Sequence, residues 1–142
     1  MINTFFHFLH DLSIFLYRRT HGKIGGRVQG LSVLLLQTTG RKTGKEHITP
    51  VGYFMDGGNY IITASNAGRN THPAWFHNLR ANPRVTIEIK DQQMEVEAEV
   101  AASEKRKALW SRLTSLSPHY ATYAQKTTRE IPLVILHPLQ SG

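Results

Sequence analysis

The stretch SVLLLQTTGRKTGKEHITPVGYFMDGGNYIITAS, residues 32–65, decides the fold. The unbroken apolar run at 33–36 is typical of a strand that is buried on both faces. Asp56-Gly57-Gly58 is a hairpin turn signal between two further apolar and β-branched runs. The stretch therefore predicts three successive antiparallel strands, at 32–38, 47–55 and 59–65.

The rest of the chain completes an α+β pattern. Residues 3–19 predict a helix that ends in a glycine-rich lead-in, and its apolar stripe is Phe5, Phe8, Leu9, Leu12 and Leu16. A short helix is predicted from Pro73, with Thr71 or His72 as its cap, and a hairpin at 84–90 and 94–100 follows it. Two more helices are predicted, one capped by Ser103 and one capped by Ser117, and a last strand at 131–137. Successive hairpins predict an antiparallel sheet that closes into a small barrel. We expect this barrel domain at 31–142, behind a lead-in at 1–30.

Composition limits the classes of protein to consider. The chain has 142 residues, enough for one ordinary domain, and its hydrophobic fraction of 40% is typical of a globular protein. It has no cysteine, and its eight histidines include no set at a familiar metal-ligand spacing, so we expect no metal site. No apolar run reaches the ~18 residues of a membrane span, and no signal peptide is recognisable. We therefore expect a cytoplasmic protein.

The basic loop TTGRKTGK at 38–45 is a candidate anion site. The net charge of +7 is concentrated near it, because residues 1–50 carry seven Lys and Arg against two acidic residues. Gly40 and Gly44 allow close backbone approach, so that amide groups can converge on an anion. Arg41 can bind a phosphate through two parallel hydrogen bonds. The alternative is a solvated basic turn, and the pattern alone leaves both interpretations open.

Two further segments are candidates for ligand contact. Small residues at 64–68 leave room for a flat ligand at a strand end, and Trp75 and Asn78 lie three apart on one face of the short helix. Tyr120 and Tyr123 are also three apart, so their hydroxyls can emerge on one side of a helix and donate a hydrogen bond or a proton. For each group the alternative is ordinary packing.

Four stretches, in order, resemble the deazaflavin-dependent nitroreductase family: LLLQTTGRKTGK at 34–45, TPVGYFMDGGNYIITASNAG at 49–68, HPAWFHNLRANPRVTIEI at 72–89 and REIPLVILHP at 129–138. The resemblance implies a split β-barrel of the FMN-binding kind that uses the reduced deazaflavin coenzyme F420, which carries a phosphodiester and an oligoglutamate tail. It implies that one set of residues holds the phosphate and tail and that a second set lines the ring. The first set is Arg41, Lys42, Thr43, Gly44, Lys45 and His47, and the second is Pro50, Ala64, Ser65, Asn66, Trp75 and Asn78.

The resemblance also implies the reaction. Hydride would pass from the coenzyme to an electron-poor acceptor such as a quinone or an activated alkene, with nitro compounds as incidental substrates. Tyr120, Tyr123 and Ser65 are the implied catalytic residues, which hydrogen-bond the acceptor oxygen as it gains charge. The chain departs from the family pattern at His47, where relatives usually carry arginine, and at Ser117, where one branch carries a third tyrosine.

Several alternatives stay open at this point. FMN or haem in the same barrel is one, since related barrels bind both. A basic nucleic-acid-binding barrel is another, but no aromatic strand pattern for base stacking supports it, so we expect no nucleic acid partner. The helix at 3–19 either docks at an anionic membrane, which would be the inner face of the plasma membrane, or packs across the barrel mouth. The assembly is expected to be a monomer or a homodimer.

Overall fold

The computed structural model describes residues 2–23, 25–28 and 30–139, together with their side chains except those of 2–8 and 28. The helices are α1 (Ile2–Arg19), α2 (Ala74–Ala81), α3 (Ser103–Leu116) and α4 (His119–Gln125), and a 3-10 turn covers Asn66–Gly68. The strands are β1 (Arg27–Val28), β2 (Leu31–Thr39), β3 (Glu46–Asp56), β4 (Asn59–Thr63), β5 (Arg84–Ile89), β6 (Gln92–Val100) and β7 (Leu133–Pro138).

Six strands form a closed antiparallel barrel. Their order is β2-β3-β4-β7-β6-β5, and β5 pairs with β2 to close the ring, with Leu36 opposite Ile87. The two-residue strand β1, which the sequence pattern did not predict, adds to the edge of β2. The predicted α+β architecture, an antiparallel barrel with helices at the start, at one crossover and before the last strand, is confirmed.

Strand β2 is buried on both faces, as its apolar run predicts. Leu34 and Leu36 point into the barrel interior, where they pack with Ile62 and the short helix α2. Val33 and Leu35 pack on the opposite side with Tyr17 of α1. Full burial of a leucine side chain contributes about 1.5–3 kcal/mol, so this strand is a main anchor of the fold.

Helix α1 is held on the outer face of the barrel by polar contacts. The fully buried Tyr17 donates from its hydroxyl to the Val33 carbonyl at 3.0 Å and accepts from the Lys90 N–H at 2.8 Å. Two N–H groups of Arg18 donate to the carboxylate of the buried Glu88 at 3.1 and 3.2 Å. These bonds join α1 to β2 and to the end of β5, so the helix spans two neighbouring strands of the barrel.

The docked face of α1 is not the predicted stripe. Ile14 and Tyr17 face the barrel, whereas Leu9, Leu12 and Phe15 are exposed, Phe15 to 59%. Phe5 and Phe8 of the predicted stripe lie outside the described side chains. No helix within the described ranges is long and apolar enough to cross a bilayer.

The predicted serine caps are wrong, because the backbone takes another course at each helix start. Helix α3 has Ala102 at its N-cap and α4 has Pro118, and neither makes a side-chain cap bond. The Ser117 amide donates to the Leu113 carbonyl at 2.8 Å and so ends α3 instead. Its buried hydroxyl has no hydrogen-bond partner within the described part of the chain.

The start of α2 also differs from the prediction. Pro73 is its N-cap residue, and neither Thr71 nor His72 provides a side-chain cap. Both residues are engaged elsewhere: the Thr71 carbonyl accepts from the Asn66 side chain, and the His72 ring accepts from Arg129. Among the described residues, the N-cap position of α2 therefore provides no side-chain hydrogen bond to the first amides of the helix.

Candidate functional site

The basic loop between β2 and β3 is a closed turn. The Gly40 N–H donates to the Lys45 carbonyl at 2.7 Å, and the Gly44 N–H donates back to the Gly40 carbonyl at 2.9 Å. A Cβ at Gly40 would lie 2.8 Å from Oγ1 of Thr43 and 3.2 Å from the Lys45 carbonyl, so a larger residue would force the turn to shift, while Gly44 has a φ of +73°. The side chains of Arg41, Lys42 and Lys45 are exposed around this ring. Three cations are thus presented on a defined backbone.

Asn78 ties this loop to α2. The residue is buried, and its Oδ1 accepts from the Arg41 backbone N–H at 3.2 Å and from the Arg41 guanidinium at 3.5 Å. Its Nδ2 donates to Oγ1 of Thr38 at 3.4 Å. Asn78 therefore fixes the loop from beneath, a role that the helix-face spacing did not indicate.

A cleft of about 250 Å³ lies between the basic loop and the N-terminus of α2. We call it the basic cleft, and its lining residues are Gly40, Arg41, Lys42, Thr43, His47, Thr49, Ala74, Trp75 and Asn78. The start of α2, where Pro73 makes no side-chain cap bond, adds its partial positive charge to Arg41 and Lys42, the two cations that line the cleft. Helix N-termini with free amides are established anion sites, so the cleft suits a phosphate or a carboxylate.

A larger groove of about 670 Å³ lies beside the basic cleft. It runs between α1 and the start of β3, with His10, Ile14 and Arg18 on the helix side. His47 and Thr49 line both cavities, so the two spaces adjoin at these residues. The structure thereby brings together Arg41, Lys42, Thr43, Gly44, Lys45, His47, Trp75 and Asn78 of the predicted site.

Trp75 is both a core residue and a wall of the basic cleft. Its side chain is largely buried, at 8% exposure, and belongs to the core inside the barrel with Phe76 and Leu79. It also lines the basic cleft. A rigid indole that forms one wall of a cleft suits contact with a flat ring.

A second group of predicted residues lies past the end of β4. Ala64 is fully buried, and its N–H donates to the Pro132 carbonyl at 3.0 Å. Ser65 and Asn66 follow at half-buried positions, and Asn66 has a φ of +48°. Near the end of β4, Ile62 pairs with Tyr53 on β3, and this is the pair farthest from the hairpin turn. Pro50 lies on β3 three residues before Tyr53 and is paired with Leu35 on β2.

Arg129 supports this second group and was missed by the sequence reasoning. Its guanidinium donates to the carbonyls of Ala64, Ser65 and Arg69 and contacts the His72 ring. Burial lowers the pKa of Arg129, and burial together with the Arg129 charge lowers the pKa of His72. Partners 57 to 65 residues away leave no local signal in the sequence.

Tyr120 and Tyr123 form an edge-on pair, but away from the basic cleft. Their ring centroids are 5.6 Å apart with an interplanar angle of 89°. Tyr120 is 6% exposed and packs on the outer face of the barrel with Phe54 and Ile61. Helix α4 contacts the turn at Asn66–Gly68. The tyrosines therefore neighbour the second group rather than the cations.

The buried phenol of Tyr120 should make stability depend on pH above neutrality. Burial, with a smaller contribution from Tyr123, raises the pKa of Tyr120 from 10.0 to about 12. The folded protein then keeps a proton that the unfolded chain loses, so the stabilisation is full below about pH 10 and is lost as the pH rises to about 12. We expect a loss of about 2 kcal/mol in the free energy of unfolding over this range.

Urea unfolding at pH values across that range measures this effect, with Tyr120→Phe as the reference. The variant should lose less stability than the parent, because it has no proton to release at this position. Equal losses in both proteins would show that the Tyr120 phenol ionises as readily in the fold as in the unfolded chain.

Comparison with known proteins identifies the family of the chain. Residues 12–138 match the family described as F420H(2)-dependent quinone reductase. A Mycobacterium tuberculosis protein named F420H(2)-dependent quinone reductase is 39% identical over 132 residues, which cover 90% of this chain and 87% of that protein.

Solved structures give the same result. A structure described as an F420-H2 dependent reductase has a TM-score of 0.68 at 34% identity. The matched region covers 74% of this chain and 93% of the chain in that structure. One described as a domain-swapped dimer has a TM-score of 0.70 at 30% identity, covering 89% and 95%. The heme storage protein of Vibrio cholerae, with a TM-score of 0.62 at 16% identity and coverage of 87% and 88%, shares the fold alone. The family resemblance in the four motifs is confirmed, and the chain belongs to the F420H(2)-dependent quinone reductase family.

Proposed function

We propose that this protein is an F420H2-dependent oxidoreductase that transfers hydride to a quinone. The observation that carries the proposal is the basic cleft, which is lined by Arg41 and Lys42 and by the first residues of α2, with Lys45 close by on the same closed turn. This cleft belongs to a chain that matches the quinone reductase family over residues 12–138.

The residues of the cleft fit the coenzyme. Arg41 offers a planar fork for a phosphodiester, and Lys42 and Lys45 offer mobile charges for the carboxylates of an oligoglutamate tail. Thr43 adds a hydroxyl beside the helix start. FMN, the alternative cofactor, carries one phosphate and no acidic tail, so it leaves part of this cation set unused. The exposed cations therefore favour F420 over FMN.

Titration of the protein with each cofactor tests the proposal. Fluorescence should report tighter binding of F420 than of FMN, and the F420 affinity should fall as salt is added, since exposed charges are screened. Absorbance should then show oxidation of the reduced coenzyme when a short-chain quinone is added. Tighter binding of FMN, or of haem, would replace the proposal by the corresponding alternative.

The chain's own residues have separable roles in this reaction. When bound, the reduced deazaflavin supplies a hydride from its C5 carbon. We assign Arg41, Lys42, Thr43, Gly44, Lys45 and His47 to the phosphate and tail, and Pro50, Ala64, Ser65, Asn66, Trp75 and Asn78 to the ring. Asn78 acts by holding the Arg41 backbone, and Trp75 by closing one wall of the cleft.

We further propose that Ser65, Tyr120 and Tyr123 act on the acceptor. Hydroxyl donors stabilise a quinone oxygen as it gains negative charge and supply the proton that completes the quinol. A pKa of about 12 keeps the Tyr120 phenol protonated at neutral pH, so it is available as a donor. The same high pKa makes it a reluctant acid, which favours hydrogen bonding over full proton transfer.

The Tyr120→Phe/Tyr123→Phe variant should therefore lower quinone turnover by roughly tenfold or more while F420 affinity stays the same. Tyr60→Phe is a matched control, because Tyr60 also stacks edge-on against a tyrosine, Tyr53, at 5.6 Å, but inside the barrel. Steady-state kinetics and coenzyme titration separate the two effects. Unchanged turnover in the double variant would remove both tyrosines from the acceptor site.

A finer proposal concerns where the enzyme meets its acceptor. Leu9, Leu12 and Phe15 form an exposed apolar patch on α1, next to the basic pair at its C-terminal end, Arg18 and Arg19. This combination favours contact with an anionic membrane, at its cytoplasmic face, where long-chain quinones dissolve.

Flotation with vesicles of phosphatidylglycerol and phosphatidylcholine measures this contact. Leu12→Ser/Phe15→Ser should reduce the floated fraction several-fold, whereas Leu116→Ser, an equally exposed leucine on α3, should not. Flotation that both variants retain, or that the parent lacks, would contradict the membrane proposal.

The assembly and the division of the chain stay predictions. One relative is described as a domain-swapped dimer, and this chain is expected to be a monomer or a homodimer. Sedimentation velocity distinguishes the two. The separation of a lead-in at 1–30 from a barrel at 31–142 is likewise a prediction, which limited proteolysis near residue 30 tests.

A further inference from the structure

Arg129 makes an unusual set of contacts for a partly buried cation. Its guanidinium donates to the Ala64 carbonyl from both terminal nitrogens at 3.2 Å, to the Ser65 carbonyl at 2.8 Å and to the Arg69 carbonyl at 2.8 Å. One terminal nitrogen also lies 2.9 Å from Nδ1 of His72. All of these partners are formally neutral, so the contacts organise the backbone rather than neutralise an acid.

The acidic neighbour of Arg129 is engaged elsewhere. Glu130 follows it in the chain, yet its carboxylate lies 3.2 Å from the guanidinium of Arg106. Arg129 therefore keeps its full charge and its fork of donors for the segment at 64–72. Arg129 thus connects the chain segment before β7 to the segment after β4.

The segment that Arg129 holds contains a strained turn. Asn66, Ala67 and Gly68 have φ angles of +48°, +55° and +79°, and left-handed backbone is unfavourable for a residue with a Cβ. The turn is closed by the Gly68 N–H donating to Ser65 and the Arg69 N–H donating to Asn66. Such a conformation persists only where surrounding contacts fix it.

The carbonyl bonds also set the direction of two amides. In a planar trans peptide the C=O and N–H groups point in opposite directions. Because the carbonyls of Ala64 and Ser65 accept from Arg129, the N–H groups of Ser65 and Asn66 point away from it. Two adjacent amide donors are thereby aimed to one side of the turn.

We infer that Arg129 is a positioning residue, which holds the turn at 64–69 so that the Ser65 and Asn66 amides donate to an electronegative atom of the bound ring. The inference rests on the proposed function, because that function puts the coenzyme ring beside Ala64, Ser65 and Asn66. Arg129 itself does not contact the ring. Its contribution is to set the amides before the ligand arrives.

Arg129→Lys and Arg129→Gln test this role, because neither side chain has the planar fork whose separate nitrogens reach the carbonyls of Ala64, Ser65 and Arg69. Arg106→Lys is the matched control: Arg106 also donates twice to a backbone carbonyl, that of Ile131, but it does so from helix α3. Circular dichroism and thermal unfolding first establish that the variants fold.

Hydrogen–deuterium exchange without any ligand is the first readout. The amides of Gly68 and Arg69 should exchange at least about tenfold faster in both Arg129 variants and at the parent rate in Arg106→Lys, while β2 is unchanged in all of them. Parent-like exchange in the Arg129 variants would overturn the inference. Failure of Arg129→Lys to fold, when Arg106→Lys folds, would also overturn it, since Arg129 would then support the whole domain.

Coenzyme kinetics is the second readout. A displaced pair of donors should lower kcat/KM for reduced F420 by roughly 10- to 100-fold, with a KM for the quinone close to that of the parent. Faster exchange with unchanged kcat/KM would overturn the ligand part of the inference. If the parent protein binds no F420 at all, the proposed function fails, and the exchange result still decides whether Arg129 holds the turn.

Discussion

Alanine at both Arg41 and Lys42 is expected to weaken F420 binding by roughly 100-fold. Hydrogen bonds to charged groups contribute about 1.5–3 kcal/mol each, and the exposure of these side chains puts the pair near the lower end, at about 3 kcal/mol in total. That free energy corresponds to a factor of about 100 in the dissociation constant. Fluorescence titration of the coenzyme measures it.

The fold should not change in this variant. Both side chains are exposed, and the Asn78 bond that holds the loop is made by the Arg41 backbone N–H, which alanine keeps. The salt dependence of the remaining binding should also become weaker, because two of the screened charges are gone. Lys107→Ala is the control, since Lys107 is an exposed cation on α3 whose ion pair is with Glu104 on the same helix. An affinity like that of the parent would mean that TTGRKTGK is a solvated turn after all.

Asn78→Ala is expected to lower the free energy of unfolding by about 2–4 kcal/mol. The change removes the buried amide, leaves the Thr38 hydroxyl and the Arg41 N–H without their partner, and opens a small cavity beneath the loop. Urea unfolding measures the loss. Asn82→Ala, an exposed position at the other end of the same helix, should cost much less.

Coenzyme binding should weaken in Asn78→Ala as well, by roughly tenfold, because the freed loop must be ordered again on binding. Asn78→Asp separates the two consequences. Its carboxylate still accepts from Arg41, and the Thr38 hydroxyl can turn to donate to it, so stability should exceed that of the alanine variant. Affinity should not recover, because the new negative charge lines the basic cleft and repels the anionic groups of the coenzyme. If Asn78→Ala unfolds no more readily than Asn82→Ala, the amide does not hold the loop.

The strands of the barrel could be predicted from the sequence because each element carries its own local pattern. The run at 33–36 indicates burial on both faces, and Asp56-Gly57-Gly58 marks the hairpin, so β2, β3 and β4 were placed within a residue or two. The caps were wrong for a physical reason. A serine near a helix start caps it only if the backbone enters at the right angle, and at Ser117 the amide closes the preceding helix instead.

The candidate site was predictable where charge and glycine occur together and not where the contacts are distant. The basic loop has both signals in eight residues. Arg129 has neither, because its carbonyl partners come from another part of the chain and any residue type can provide a carbonyl. Spacing placed Tyr120 and Tyr123 on one helix side correctly, but it did not reveal that Tyr120 packs against the outside of the barrel.

The hydroxyl of Tyr17 has a consequence for the order of folding. Its two partners, on β2 and at the end of β5, lie 16 and 73 residues further along the chain, and they meet only once the ring of strands is complete. Contacts between such distant residues form slowly. During synthesis α1 is made before the strands that hold it, so its apolar side chains need protection until the last strand of the ring has been made.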